Sequence, residues 1–93
     1  MFIYCLEIHL SLPSRSLKEK RGIVKSILGR AKSRFNVACA EVDRQDNAGV
    51  AVLGFVTLSS DSKIPRQVLE KVEEWIYESW PDVEITGADI SEI

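Results

Sequence analysis

The chain has 93 residues, of which 45% are hydrophobic and 28% are charged, the composition of one folded domain. No apolar run approaches the roughly 20 residues that a membrane-spanning helix needs. The first residues lack the basic start and the small-residue cleavage site of a secretory signal. We therefore expect a single domain over residues 1–93, located in the cytoplasm, where its two cysteines stay reduced.

The charges are distributed unevenly along the chain. The net charge is only −2, yet eight of the twelve lysines and arginines lie between residues 15 and 34, where Glu19 is the only acid. From residue 61 to the end, acids dominate and the segment charge is −6. Such an asymmetry favours a partner that recognises charge.

The first half of the chain predicts a strand, a long helix and a second strand. Residues 2–11 alternate with a period of two, and one face of that strand is wholly apolar. Ser16 and Glu19 match a capping box, and residues 17–34 carry apolar side chains at helical spacing. Residues 36–43 alternate again, which predicts the second strand.

The second half predicts a hairpin partner, a second helix and a short last strand. Residues 45–49 have turn chemistry, and the nearly continuous apolar run over 50–58 is typical of a central strand. An apolar stripe from Ile64 to Trp80 indicates a helix, which Pro81 closes. Residues 83–85 mark a short last strand.

The predicted order of elements is therefore β-α-β-β-α-β. Two right-handed crossovers in one sheet give an α+β, ferredoxin-like fold with a four-stranded antiparallel sheet in the order 4-1-3-2. Both helices then lie on one face of the sheet. The other face stays open, so function is expected there or on the outer surface of the first helix.

Four basic residues of the first helix fall within an arc of roughly 60° on a helical wheel. They form a line about 20 Å long, at 1.5 Å per residue. Phosphate backbones bind such cations mainly through charge, so we interpret the line as an RNA-binding surface, to which Arg15, Arg30 and Arg34 contribute. The alternative is a solvated helix face. The members of this basic line are Lys18, Arg21, Lys25 and Lys32.

A strip of small residues lies beside the basic line. A glycine inside a helix costs about 1 kcal/mol relative to alanine. Two of them seven residues apart therefore indicate that a phosphate backbone or a partner chain comes close to the helix there, unless they are simply tolerated surface glycines. This small-residue strip comprises Gly22, Ser26, Gly29 and Ser33. Lys20 points instead toward the apolar side, where we expect it to snorkel or to pair with a sheet carboxylate.

The open sheet face prompts two further interpretations. Cys5, His9, Cys39, Glu41 and Asp43 could all lie on it, but two strand spacings separate the cysteines and no ligand motif is present, so we expect no metal and no cofactor. The same face looks like a homodimer interface, because it could expose apolar side chains of the second and third strands. Those side chains are Val37, Leu53 and Phe55. Phe55 is the one candidate on the third strand for stacking on an RNA base, and the first strand offers no aromatic residue opposite it. We therefore expect RNA to bind the helix and not the sheet.

The segment before the first helix is the one part of the sequence that suggests an enzymatic site. Ser11, Ser14, Arg15 and Ser16 lie where a strand enters a helix N-terminus, which is a natural anion site. Acylphosphatases share this size and fold type and bind phosphate in that loop. Their glycine-rich cradle is missing here, and no catalytic residue is predicted.

Three short motifs resemble the YlxP-like bacterial family, known as domain of unknown function 503. They are the segment 17–21 (LKEKR), the segment 34–37 (RFNV) and the segment 41–43 (EVD), in the family's order and spacing. The resemblance covers nearly the whole chain and implies a ferredoxin-like domain. It also implies a genomic setting among translation genes, near ribosome-binding factor A and an initiation factor. It supplies no catalytic residues.

The sequence thus leads to three hypotheses. The first is a non-enzymatic domain that binds RNA or the ribosome through its basic line. The second is a protein-interaction module with no nucleic-acid role, a homodimer through its open sheet face, whose basic helix docks an acidic partner. The third is a phosphate-ester enzyme at residues 11–16.

Overall fold

The computed structural model describes all residues from 1 to 93 and confirms the β-α-β-β-α-β order. All strand pairs are antiparallel, and the order β2-β3-β1-β4 is the predicted one, written from the other edge. Neither helix combines the length and the hydropathy that crossing a membrane requires. The elements are β1 (Phe2–Ser11), α1 (Leu17–Arg34), β2 (Ala38–Asp43), β3 (Val50–Ser59), α2 (Ile64–Ser79) and β4 (Glu84–Glu92).

One core fills the space between the sheet and the two helices. Because side chains alternate along a strand, the even-numbered apolar residues of β1 all point toward the helices. Leu6, Ile8 and Leu10 are accordingly at most 1% exposed. The helices supply the other side of the core, which includes Val24, Ile27, Ala31, Leu69, Val72, Trp75 and Ile76.

The sequence predicted that Leu53 and Phe55 of β3 lie on the open face of the sheet, and this prediction is wrong. Leu53 and Phe55 are fully buried beneath the helices, because Phe55 pairs with Leu6 of β1 and shares its face. Phe55 is therefore unavailable for stacking on a base. Val52, Gly54, Val56 and Leu58 lie on the other face of β3, where Val52 is buried and Leu58 is exposed.

Two residues of β2 also lie on the other face from the one expected. Cys39 pairs with Phe55, so Cys39 and Glu41 point toward the helix layer. The Cys39 thiol lies 3.6 Å from the Leu28 carbonyl. Val37 is partly buried against the core, and so it is not part of an exposed sheet surface.

The last strand is longer than its apolar residues indicated. β4 covers Glu84–Glu92 and pairs with β1 almost end to end, with a register shift between His9 and Leu10. The backbone supplies these hydrogen bonds, so polar residues extend the strand beyond the expected 83–85. β2 is shorter than expected and begins at Ala38.

Helix α1 begins and ends where the sequence predicted. The Ser16 hydroxyl accepts a hydrogen bond from the Glu19 amide at 3.1 Å, as an N-cap does. The Glu19 carboxylate accepts from the Arg15 amide at 3.4 Å, one residue before the partner that a capping box uses. The cap fixes the start of the helix and thereby the positions of its basic side chains.

Candidate nucleic-acid interface

The basic line lies on the exposed surface of α1. Lys18, Arg21, Lys25 and Lys32 are all exposed, and none has a carboxylate within ion-pair distance. An exposed helix whose cations were meant only for solubility would place acids at i, i+4. These four charges are therefore available to an outside anion.

The basic line runs along the side of α1 that faces β2. Arg21, Lys25 and Lys32 border a shallow depression of about 420 Å³ with Leu28 and Glu41. Lys32 lies close enough to the Cys39 thiol to lower its pKa, although burial has the larger effect and the net shift is upward. The cations thus follow one flank of the helix and do not surround it.

The small-residue strip lies on the solvent-facing surface of α1, between the basic line and Arg30. A Cβ atom built on Gly22 or on Gly29 meets no atom within 4 Å beyond the backbone of the helix itself, and neither residue has a positive φ. No neighbour in the fold and no backbone conformation therefore requires glycine at these positions. The two glycines leave the helix backbone accessible between its basic flanks.

Arg30 and Arg34 lie on the other flank of α1, across the small-residue strip from the basic line. There the surface of α1 forms a shallow groove of about 510 Å³, to which α2 contributes Trp75. Its lining contains three cations and two serines but no acid. We call it the helix groove, and it is lined by Lys25, Ser26, Gly29, Arg30, Ser33, Arg34 and Trp75.

Aromatic rings support the arginine flank of the helix groove. Trp75 contacts Phe35 and Trp80 edge to face, with ring centroids 5.4 Å and 5.0 Å away. The Arg30 guanidinium carbon lies 5.0 Å from the Trp80 ring centroid, and that of Arg34 lies 5.8 Å from the Phe35 ring centroid. Cation–π contacts of this kind orient the guanidinium groups. Helical spacing placed both tryptophans on the stripe of α2, but only tertiary packing brings Arg30 over Trp80.

Lys20 does not belong to this surface. It is 1% exposed, and its ammonium lies 2.9 Å from Glu41 Oε2. The same ammonium donates hydrogen bonds to the carbonyls of Arg44 and Asn47, at 2.6 Å and 2.7 Å. The expected pairing of Lys20 with a sheet carboxylate is confirmed. Asp43 has no basic partner, and its carboxylate accepts from the neighbouring Arg44 amide.

The loop before α1 uses its serines within the fold. The Ser14 hydroxyl donates to the Ala48 carbonyl at 2.6 Å and is 7% exposed, while Ser16 caps the helix. Arg15 is exposed at the start of α1, close in sequence to the first member of the basic line. Of the four residues predicted for an anion site in this loop, two serines are thus engaged within the fold. Only Ser11 and Arg15 remain available to an anion.

The possible metal ligands are divided between the two faces of the sheet. Cys5 and His9 lie on the open face, whereas Cys39 and Glu41 lie beneath α1. His9 Nε2 lies 3.2 Å from Glu7 Oε2. Burial raises the pKa of the Cys5 thiol, and the nearby Glu7 and Asp89 carboxylates raise it further. Both thiols are therefore poor nucleophiles at neutral pH.

Fold and surface together define a small α+β domain of the ferredoxin type with one basic helix. The chain belongs to the family described as "Protein of unknown function (DUF503)", whose model matches residues 3–90. It is 37% identical over 71 residues to the uncharacterized protein YlxP of Bacillus subtilis strain 168, which covers 76% of each chain.

A solved structure supports the fold independently. The structure of a de novo designed protein with a ferredoxin fold matches all of this chain and 84% of that chain, with a TM-score of 0.57 and 15% sequence identity. At that identity the likeness concerns the fold alone.

Proposed function

We propose that this protein is a non-enzymatic domain that binds RNA, in the setting of the ribosome, through the basic line of α1. The observation that carries the proposal is the set of four exposed cations on one flank, each without an acidic partner. The acids of the chain lie mostly in its second half, where Glu70, Glu74 and Glu78 of α2 are exposed. A polyanion would therefore approach the molecule from the α1 side.

Phosphate contacts have a measurable signature. Each phosphate that a Lys or Arg neutralises releases counterions, so log K falls by about 0.9 per log unit of salt for duplex RNA or about 0.7 for a single strand. A basic line that contacts four phosphates should therefore give a slope of about −3 to −4. The probe is purified small-subunit ribosomal RNA, titrated at several salt concentrations.

The decisive variant replaces all four residues of the basic line by glutamine. Its matched control replaces by glutamine the four lysines and arginines that follow α1 in the chain, namely Arg44, Lys63, Arg66 and Lys71. Both variants lower the net charge equally, so a non-specific effect of charge appears in both. We expect the first variant to lose most of its affinity and of its salt slope, and the control to keep both. If the first variant binds RNA like the unmodified protein, the proposal is wrong.

The open sheet face supports a second candidate function, a homodimer. Val42, Leu58 and Ile93, three of the most exposed large apolar side chains, are 51%, 55% and 73% exposed and lie on or at the edge of this face. Four strands of up to ten residues give a face of roughly 600 Å² in projection. That is close to the roughly 800 Å² per partner of a standard interface.

Light scattering of the purified protein tests this second candidate. A dimer through the open face should persist in high salt and should dissociate when Leu58 is replaced by aspartate, because a charge would then be buried at the interface. The same substitution at exposed Tyr77 on α2 is the control. A monomer across the accessible concentration range would contradict the dimer and leave the RNA proposal intact.

A further inference from the structure

We infer that the helix groove binds single-stranded RNA, with a phosphate on its floor and a base stacked on Arg30. The inference rests on the proposed function and specifies the form of RNA that the same helix takes. The inference is based on the residues that line the helix groove, which include Arg30, Arg34 and Trp75 and are mostly not those of the basic line.

The floor of the groove is suited to a phosphate. Lys25 on one flank and Arg30 and Arg34 on the other place positive charge on both sides, and no acid lies in the lining. Gly29 has no side chain there, and nothing else in the fold fills the space where its Cβ atom would be. Ser26 and Ser33 add hydroxyl groups to the lining. A phosphate in this position can approach the helix backbone and be neutralised from two directions.

The arginine flank is suited to a base. The Arg30 guanidinium carbon lies over the Trp80 ring, 5.0 Å from its centroid, and the Arg30 side chain is exposed. The guanidinium is therefore supported by an aromatic ring and accessible from solvent. Guanidinium planes stack on the bases of RNA, and a guanidinium that already contacts an aromatic ring loses less conformational entropy on binding.

The need for an accessible base that can stack on Arg30 distinguishes single strands from duplexes. In A-form RNA the bases stack on one another and their faces are not accessible, whereas the bases of single strands can be splayed out onto side chains. A duplex could contact the basic line through its phosphates, but it could not supply a free base face to Arg30. The groove should therefore favour the single strand.

The two tryptophans of the chain provide a direct readout, because Trp75 lines the groove and Trp80 lies under Arg30. We propose to titrate the protein with an end-labelled, unpaired RNA strand of mixed sequence and with the duplex of that strand and its complement, chosen long and G·C-rich enough to stay paired at the concentrations used. RNA anisotropy reports binding, and protein fluorescence reports occupation of the groove. We expect the single strand to bind at least tenfold more tightly than the duplex and to change the tryptophan emission.

Two variants and one control variant locate the effect. Gly29→Leu fills the groove from an exposed helical position, so it should abolish the fluorescence change and weaken binding at least tenfold. Gln67→Leu adds the same side chain to the exposed surface of α2 outside the groove and should change neither. Arg30→Lys keeps the charge but removes the planar group, so it should weaken single-strand binding about three- to tenfold with the salt slope unchanged.

The outcomes separate this inference from the proposed function. Binding of single strands without a change in tryptophan emission, or with equal affinity for Gly29→Leu and Gln67→Leu, would mean that the basic line binds RNA without the groove. Equal affinity for duplex and single strand would also overturn the inference. Failure of every RNA to bind would overturn both proposals.

Discussion

The ammonium of Lys20 lies 2.9 Å from Glu41 Oε2, beneath the turn that joins β2 to β3. The ammonium also donates to two carbonyls of that turn, those of Arg44 and Asn47, and Arg44 adopts a left-handed φ of 61°. One buried lysine thus fastens α1 to the edge strand β2 and to its turn. In the segment 17–21, Lys20 has a structural task, whereas Lys18 and Arg21 are directed to solvent.

Replacing Lys20 by methionine should destabilise the fold strongly. The substitution leaves the Glu41 carboxylate without its counter-charge and two carbonyls without their donor, and removal of one partner from a buried ion pair costs about 3–5 kcal/mol. Lys18→Met, two residues away and exposed, should change the free energy of unfolding by less than about 0.5 kcal/mol. Urea denaturation of the two variants gives the comparison. A Lys20→Met protein within 1 kcal/mol of the unmodified protein would show that the buried contacts contribute little.

The same turn is held from below by Ser14, whose hydroxyl donates to the Ala48 carbonyl at 2.6 Å. Ser14→Ala removes the donor and leaves that carbonyl without this partner. We expect a loss of about 1 kcal/mol in the free energy of unfolding, the typical contribution of one hydrogen bond. Exposed Ser62→Ala provides the control in the same denaturation experiment. A larger loss for Ser62 than for Ser14 would contradict the assignment.

The sequence was sufficient for those elements whose pattern has a clear period. Alternation along β1 correctly placed Leu6, Ile8 and Leu10 toward the helices, and the cap at Ser16 correctly set the start of α1. β3 is apolar on both faces, so alternation could not show which residues point inward. Its orientation is set by pairing with β1, a long-range contact that leaves no local signal.

The candidate interface, too, could be predicted from the sequence only in part. Helical spacing was sufficient to group the basic line on one flank of α1 and to separate Lys20 from it. It could not show that Arg30 and Arg34 form the opposite flank of a groove, because Trp75 of α2 completes the lining of that groove. Nor could it place Arg30 over Trp80, fifty residues away in the chain.

The two thiols should become reactive only at high pH. Burial raises the pKa of both Cys5 and Cys39 above the ordinary thiol value. Because the folded-state pKa is the higher one, the protonated thiols stabilise the fold below the ordinary thiol pKa, and this contribution is lost as the pH rises through the folded-state values. Iodoacetamide alkylation, followed for each cysteine by mass spectrometry, should reach half its maximal rate at a higher pH in the folded protein than in urea.

Single substitutions should move the two thiol midpoints in opposite directions. Glu7→Gln removes a carboxylate that raises the pKa of Cys5, so its midpoint should fall. Lys32→Gln removes the ammonium that lowers the pKa of Cys39, so its midpoint should rise. Each substitution serves as the control for the other cysteine. Equal shifts at both sites would indicate a general change in the fold and not these local charges.

Alanine at Gly22 or Gly29 should stabilise the protein. An added Cβ meets no neighbouring atom, and alanine is favoured over glycine inside a helix by about 1 kcal/mol, so each substitution should raise the free energy of unfolding by up to that amount. Gly29→Ala also places a methyl group on the floor of the helix groove, so it should weaken binding of single-stranded RNA about two- to fivefold. Thermal denaturation and RNA titration of the same samples give both quantities. A variant that gains stability and keeps its full affinity would mean that Gly29 is a tolerated surface glycine and that nothing approaches the helix backbone there.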